Sequence, residues 1–467
     1  MKPTKIFIIL SIMSLLVASC KIGKHYTRPD VELPDMLDST YNATDSISIA
    51  DLPWNDVYAD TLLQDLIELT LENNKDLLIA AARVKELAAL KRIDVANLFP
   101  DVALRVYAKK EQDNYGGNNA DDDNQFDLKA RITWELDLWG NLRWAKDKSM
   151  AQFLASVENQ RALQMSLVAN VAEAYFELVA LDNELRIVNQ TVDARREGLE
   201  LARLRYEGGL TSEMTYRQAQ VELASAEALV PDLEQKISLK ENEIAFLAGE
   251  YPRAIDRVEQ PEDVILPVSL PVGLPSTLLE RRPDVRKAEQ DLIAANAQVG
   301  IAYTNMFPRI SLTADLGAES DQLGDILKSP YHLISGTLLQ PIVGLWKNKS
   351  QHKAAQAAYE QAVYAYEKAV LNAFMDAYNA IVQFNKTREI YESQYRLERS
   401  SRSTLDLAQL QYMNGVIGYL DLLDAQRTYL SAQIDLSNAV RDKQIAVVNL
   451  YKALGGGWQP ADSEMAE

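Results

Sequence analysis

The chain has 467 residues, 47% of them hydrophobic, enough for two or three ordinary domains. Its 67 acidic and 48 basic side chains leave a formal charge of −19. That balance argues against nucleic acid as a partner, because phosphate contacts need a basic face; it fits either a well-solvated surface or an acidic lumen. Cys20 is the only cysteine, which excludes an internal disulfide and any cysteine-based metal site. His25, His332 and His352 are scattered without metal-ligand spacing.

Lys2 and Lys5 precede an apolar run from Ile6 to Val17, followed by Ala18-Ser19-Cys20. A basic start, a short hydrophobic stretch and small residues at the cut make residues 1–19 a signal peptide in form. The run is shorter than the ~20 residues that a membrane-spanning helix needs. A cysteine directly after the small residues resembles the bacterial lipobox, where Cys20 would carry lipid; the alternative is an ordinary signal peptide with a chance cysteine. Residues 20–55 are polar and contain prolines, as expected of a lipidated tether.

Helical periodicity begins near Asp56 and runs to Leu98, where Pro100 stops it. The period then changes to two. Val102, Leu104, Val106 and Ala108 alternate with Ala103, Arg105, Tyr107 and Lys109. From Gln125 to Asp137, Phe126, Leu128, Ala130, Ile132, Trp134 and Leu136 alternate with Gln125, Asp127, Lys129, Arg131, Thr133, Glu135 and Asp137, all polar and mostly charged. Between them, 111–125 reads as a polar loop with Gly116-Gly117 at its centre. Strands that are charged on one face and apolar on the other suit a wall between lipid and water, at about the ~9–11 residues that a tilted spanning strand needs. A soluble hairpin on a core gives the same alternation.

Gly140 to Glu207 contains no proline. Leu167, Val171, Ala174, Leu178, Leu181, Leu185, Val188 and Val192 follow steps of four and three, a coiled-coil seam. Such a helix is roughly 100 Å long. A turn at Gly208-Gly209 leads to a return helix ending near Ala248, which Pro231 should kink. Residues 250–275 hold five prolines and read as a linker.

The pattern then restarts. Asn97-Leu98-Phe99-Pro100 returns as Asn305-Met306-Phe307-Pro308, at the end of a helix from about Ser276 to Met306. Ile310, Leu312, Ala314 and Leu316 alternate as a strand, and a second strand is expected over Tyr331 to Val343. A long helix from Lys349 to Met413 turns at Asn414-Gly415 into a final helix that ends at Gly455-Gly456-Gly457. Tyr206 to Ala226 and Tyr412 to Ala432 align at one offset, sharing Tyr206/Tyr412 and Gly209/Gly415. The unit of helix, two strands and long helical hairpin therefore occurs twice, over 56–249 and 276–457, before a tail at 458–467. The later copy also carries two acids, Asp421 and Asp424, three residues apart on one helix face. An acid pair near a helix start is also ordinary helix-dipole placement.

Four strands cannot close a barrel, and an open edge in lipid leaves backbone groups unpaired. Spanning strands would have to be pooled by several chains, and twelve or more could enclose a passage.

Leu270 to Gly317 (LPVGLPSTLLERRPDVRKAEQDLIAANAQVGIAYTNMFPRISLTADLG), Thr133 to Asp147 (TWELDLWGNLRWAKD), the lipobox cysteine and both hairpin turns together resemble the TolC/OprM class of outer-membrane efflux channels, in its lipoprotein branch, the NodT family. The resemblance covers essentially the whole chain. It implies a mixed, mainly α fold: a long coiled-coil helical barrel in the periplasm and a small transmembrane β-barrel shared between three chains. It further implies a lipid-anchored homotrimer in the outer membrane, acting as a passive exit duct for small molecules such as drugs, detergents or metals. The implied partners are a periplasmic adaptor, an inner-membrane pump of the resistance-nodulation-division type and outer-membrane lipid.

The hairpin tips, Gly208, Gly209, Leu210, Asn414, Gly415 and Val416, are where such a channel would meet its adaptor. Asp421 and Asp424 match positions that ring the periplasmic constriction, and Tyr412 matches a tyrosine of its latch. The family's latch also uses an arginine after the second turn and an aspartate after the first. Here Ile417 and Thr215 stand instead, so Tyr412 lacks that charged partner and closure would rest on Leu210, Met214, Ile417 and Tyr419. Type I protein secretion uses the same fold. A lipid-anchored structural coiled coil would explain the helices but not two amphipathic strand pairs. No phosphate-cradling loop, nucleophile motif or metal cluster points to an enzyme, and no cofactor is expected beyond lipid on Cys20.

Overall fold

The structure, a computed structural model, describes residues 21–30, 48–113, 121–259, 280–340 and 344–458, with Leu278 and Ile342. Cys20 and its leader, the tether from 31 to 47, the Gly116-Gly117 loop, most of the proline-rich linker and the tail after Trp458 lie outside the described residues. The longer helices are α1 (Thr61–Asn73), α2 (Lys75–Ala96), α3 (Asn141–Glu207), α4 (Glu213–Glu227), α5 (Leu229–Leu247), α6 (Pro283–Thr304), α7 (Leu345–Met413) and α8 (Tyr419–Ala453). The strands are β1 (Asp101–Asp113), β2 (Asp121–Leu136), β3 (Arg309–Ser320) and β4 (Pro330–Leu339). The chain forms two units, each drawing on both repeats: Met1–Val31, Ala82–Val157 and Lys287–Lys368, and then Glu32–Ala81, Glu158–Arg286 and Ala369–Glu467.

Several boundaries differ from the sequence reading. The first helix is broken at Asn74, whose side-chain amide donates to the Leu247 carbonyl at 2.8 Å while its oxygen accepts from the Leu77 N–H at 3.0 Å. A residue that caps one helix end and ties it to another element competes with the helix itself. The expected loop at 111–125 is partly strand, because the β1–β2 ladder continues to the pair Asp113↔Asp121. β4 stops at Leu339 rather than Val343, just ahead of Pro341, which has no N–H to give a ladder. Pro231 acts as expected, but one turn early: it cannot donate to the Glu227 carbonyl, and the helix breaks at Ala228.

The first unit is built on one antiparallel sheet in the order β1-β2-β3-β4, so β2 of the first repeat pairs with β3 of the second. The distribution of its two faces decides between the soluble hairpin and the membrane wall. The charged face is covered: Asp127 is 1% and Lys129 5% exposed, with Lys129 bonded to Glu319 at 2.6 Å and Arg131 held by both oxygens of Asp315 at 2.8 Å. Gly317 sits between Lys129 and Tyr331 in register, and a Cβ there would lie 2.0 Å from the Leu128 carbonyl. Its bare position lets the Lys129 ammonium reach over the Tyr331 ring at 3.9 Å. The apolar face is open: Leu104 is 75%, Val106 74% and Ile334 82% exposed. A soluble sheet would show the reverse, and apolar-out with polar-in is the pattern of a strand facing lipid. No helix of the described residues is long and apolar enough to cross a membrane.

The ends of the sheet are tied to the helices that flank it. Trp139 donates to the Pro308 carbonyl at 2.8 Å and stacks on Phe307 at 5.2 Å. Asp137 caps α3 by accepting from the Leu142 and Arg143 N–H groups at 3.0 Å. The extended peptide 21–30 straps across this junction. Ile22 donates to the Trp139 carbonyl at 3.1 Å and accepts from the Trp144 indole at 2.8 Å, while Arg28 and Glu289 pair through two bonds of 2.6 and 2.7 Å.

The second unit holds the larger apolar core. The seam read from the sequence is its buried stripe: Leu167, Val171, Ala174, Leu178, Val188 and Val192 are all buried. Around Val171 and Leu178 they join Leu63 and Ile67 of α1, Ile244 of α5, Ala377 and Ile381 of α7, and Val447 and Leu450 of α8. Truncating a side chain as enclosed as Phe176 in such a core costs ~3–5 kcal/mol. Arg257 bonds Asp182 at 2.5 and 3.0 Å and Glu241 at 2.5 Å, tying the chain beyond α5 back to α3.

Candidate functional site

The two hairpin tips close in the same way, bond for bond. At the end of α3, Gly209 has φ +73 and donates to Tyr206 at 2.9 Å, while Leu210 donates to Arg205 at 2.8 Å. At the end of α7, Gly415 has φ +74 and donates to Tyr412 at 3.1 Å, while Val416 donates to Gln411 at 2.9 Å. Both are Schellman motifs, which require a residue in the left-handed region and so favour glycine. Gly208 and Asn414 each close the last helical turn, with Asn414 also donating its side-chain amide to Leu410 at 2.7 Å.

After the turns the hairpins diverge. Thr215 closes the first turn of α4 by donating its N–H to Ser212 at 3.2 Å. Asp421 occupies the third position of α8 and accepts from the Gly418 N–H at 3.0 Å, so one of its oxygens caps the helix. Asp424 lies one turn on, and both acids are exposed. The expected apolar group does not form as one cluster. Ile417 and Tyr419 pack with Tyr412 on Ala408, Leu422 and Ala425, whereas Leu210 and Met214 are exposed, as are Met413, Val416 and Leu420.

Tyr412 has a charged partner after all, on a different element from the one expected. The Arg205 guanidinium of α3 sits over its ring at 4.9 Å, and its ring lies 5.7 Å from that of Tyr419. Burial, reinforced by Tyr412 and Glu222, pushes the Tyr419 phenol up to about 12.

A second polar group near the tip had almost no sequence signal. Glu222 of α4 is buried, and Arg195 of α3 reaches both its backbone carbonyl at 2.6 Å and its carboxylate at 3.2 Å. Burial lowers the Arg195 guanidinium from its ordinary value, and Glu222 opposes that shift. The other carboxylate oxygen accepts from Arg427 of α8. Only the position of Glu222 at the same offset as Thr428 marks it as a charge without an equivalent in the other repeat. A cavity of about 310 Å³ adjoins this group, lined by Arg195, Glu222, Leu201, Tyr412, Tyr419 and Gln426 among others. Among the described residues no cluster of His, Cys, Asp or Glu is arranged to hold a metal ion.

Residues 66–250 and 274–456 match the model of a family described as outer membrane efflux protein. The chain is 28% identical over 457 residues to the cation efflux system protein CusC of Escherichia coli, across 96% of this chain and 98% of that protein. It is 30% identical over 416 residues to the pyoverdine export outer membrane protein OpmQ of Pseudomonas aeruginosa, across 87% of each. Its fold matches that of the outer-membrane channel OprN with a TM-score of 0.87 at 29% identity, covering 94% of this chain and 100% of that one. A sheet with its apolar face turned outward, paired helical hairpins with matching tips, and a family match over both repeats lead to one conclusion: the chain belongs to the outer membrane efflux protein family and is the outer-membrane component of an efflux system.

Proposed function

We propose that three copies of this chain form one exit duct, with twelve strands closing a barrel in the outer membrane and the hairpins forming a helical barrel in the periplasm. The observation that carries this reading is the sheet: its apolar face is open and, among the described residues, both edge strands, β1 and β4, have a single neighbour each. In lipid those backbone groups must pair with another copy, and twelve strands leave a lumen where eight would be filled by side chains. On α7, Leu371, Met375, Tyr378 and Val382 are exposed at steps of four and three, a seam suited to a neighbouring helix. The exposed Leu210, Met214, Met413, Val416 and Leu420 give the tips an apolar surface for a periplasmic adaptor, which would connect the duct to a resistance-nodulation-division pump. Lipid on Cys20, directly before the strap, would anchor each copy in the membrane.

Asp421 and Asp424 form the constriction in this reading, three copies of each on the axis, where they repel one another and attract cations. Cargo is left to the pump: the efflux relatives are named for substrates as different as cations and pyoverdine. The test is Asp421→Asn with Asp424→Asn in planar bilayers, asparagine being chosen because Asp421 caps α8 through an oxygen that Asn retains. Conductance should rise and cation preference weaken. Unchanged selectivity in an intact trimer overturns the acid ring.

A further inference from the structure

Among the described residues, the apolar clusters in the lower parts of the two hairpins each lie within one hairpin. Val188, Val192, Ala226 and Leu233 join α3 to α4 and α5. Ala408, Leu422 and Ala425 join α7 to α8. What crosses from one hairpin to the other at the tip is polar, Arg205 over Tyr412 and Arg427 on Glu222, beside the 310 Å³ cavity. Close-packed interiors resist displacement, and a void of that size beside a polar contact does not.

We propose that Glu222 is the positioning residue for the acid pair: its buried carboxylate, seated on Arg195, grips Arg427 and fixes the start of α8 against the first hairpin. Arg427 follows Asp424 by three residues and Asp421 by six, so it lies within two helical turns of both acids and on the same rigid element. Glu222 is 5% exposed and held at two points by Arg195, whereas the Arg427 side chain is 63% exposed. The grip therefore has a fixed half and a releasable half. Because Thr428 takes the place of Glu222 in the second repeat, the contact runs in one direction only, from the first hairpin to α8. It occupies the role that Ile417 and Thr215 leave vacant, and it rests on reading Asp421 and Asp424 as the constriction.

The asymmetry also selects the probe. Removing Glu222 would strand the buried Arg195, which destabilises the fold for reasons unrelated to passage. Removing Arg427 leaves Glu222 paired with Arg195. Full-length protein carrying Arg427→Gln is expected to show single-channel conductance raised at least about twofold, with an unchanged melting temperature. Arg427→Lys, which keeps the charge, should return part of the way. Glu222→Gln added to Arg427→Gln should add little to the conductance, since both remove the same contact with α8, while lowering the melting temperature through the buried Arg195. Arg196→Gln, breaking an exposed pair with Asp193 and Glu227 at the same tip, should conduct as the unchanged protein does. Conductance of Arg427→Gln equal to that of the unchanged protein overturns the proposal, whether or not the melting temperature falls. If Arg427→Gln raises conductance while Asp421→Asn with Asp424→Asn leaves selectivity unaltered, the grip on α8 stands and the acid ring fails. Absence of conductance from the unchanged trimer overturns both.

Discussion

Ile334→Arg tests the orientation of the sheet directly. Ile334 lies mid-strand in β4, opposite Ala314 at the middle of β3, and is 82% exposed on the apolar face. If that face meets lipid, an arginine there costs ~2–4 kcal/mol at mid-depth. Loss of the isoleucine side chain from its apolar surroundings adds ~1.5–3 kcal/mol. The sum, roughly 3–7 kcal/mol in each chain, is felt three times in a trimer, and every 1.4 kcal/mol is about tenfold in an equilibrium constant. Ser335→Arg is the control: Ser335 pairs with Thr313 on the opposite face, alongside Arg131 and Asp315, where a charge already belongs. Urea unfolding of the protein in lipid vesicles, with heat-resistant oligomer on gels as a second readout, should show a large loss for Ile334→Arg and a small one for Ser335→Arg. Equal losses, or a larger one at Ser335, would refute the assignment of the faces and with it the membrane sheet.

Two further substitutions test the helical unit. Gly249→Ala and Gly415→Ala both force a side chain into the left-handed region, at φ +72 and +74, for ~1–2 kcal/mol each. Gly415 faces open space, whereas a Cβ on Gly249 would lie 2.4 Å from the Asn73 carbonyl, so thermal melts should show a clearly larger loss at Gly249; equal losses would contradict the packing of α5 on α1. Burial raises the Glu173 carboxyl above its ordinary value, and Glu177 adds to the shift against the pull of Lys452. The charged form is therefore penalised in the folded state at neutral pH, and the penalty vanishes once both folded and unfolded states are protonated. Glu173→Gln should raise the melting temperature at pH 7, with the gain disappearing as pH falls to about 4. A gain that persists there would show that charge is not its cause.

Much of this fold was legible because its signals are local. Period two in Gln125 to Asp137, the prolines after Asn97 and Asn305, and glycines placed to end α3 and α7 each act over a few residues. The α3 seam was legible for the same reason. Asn74 was not, since its partners are Leu77 and the distant carbonyl of Leu247. Which face of the sheet is covered was also out of reach, because alternation is symmetric until the ion pairs of Lys129 and Arg131 with β3 are seen. At the tip, the acids and turns could be found by aligning the repeats. Arg205 over Tyr412 and Arg427 on Glu222 could not, because each joins residues from different hairpins, the latter pair 205 positions apart.

The pairing of β2 with β3 has a consequence for the order in which the molecule is made. Gln125 and Glu319, bonded across it, are separated by 194 positions, with the whole first hairpin between them. β1 and β2 can meet as soon as both are synthesised, but a two-stranded hairpin is marginal by itself. Contacts between such distant segments form slowly, after the local helical ones. The four-stranded sheet therefore cannot be completed until the second repeat has been made, long after β1 and β2. The lipid-facing surface is thus the part of the molecule whose assembly waits longest on the rest of the chain.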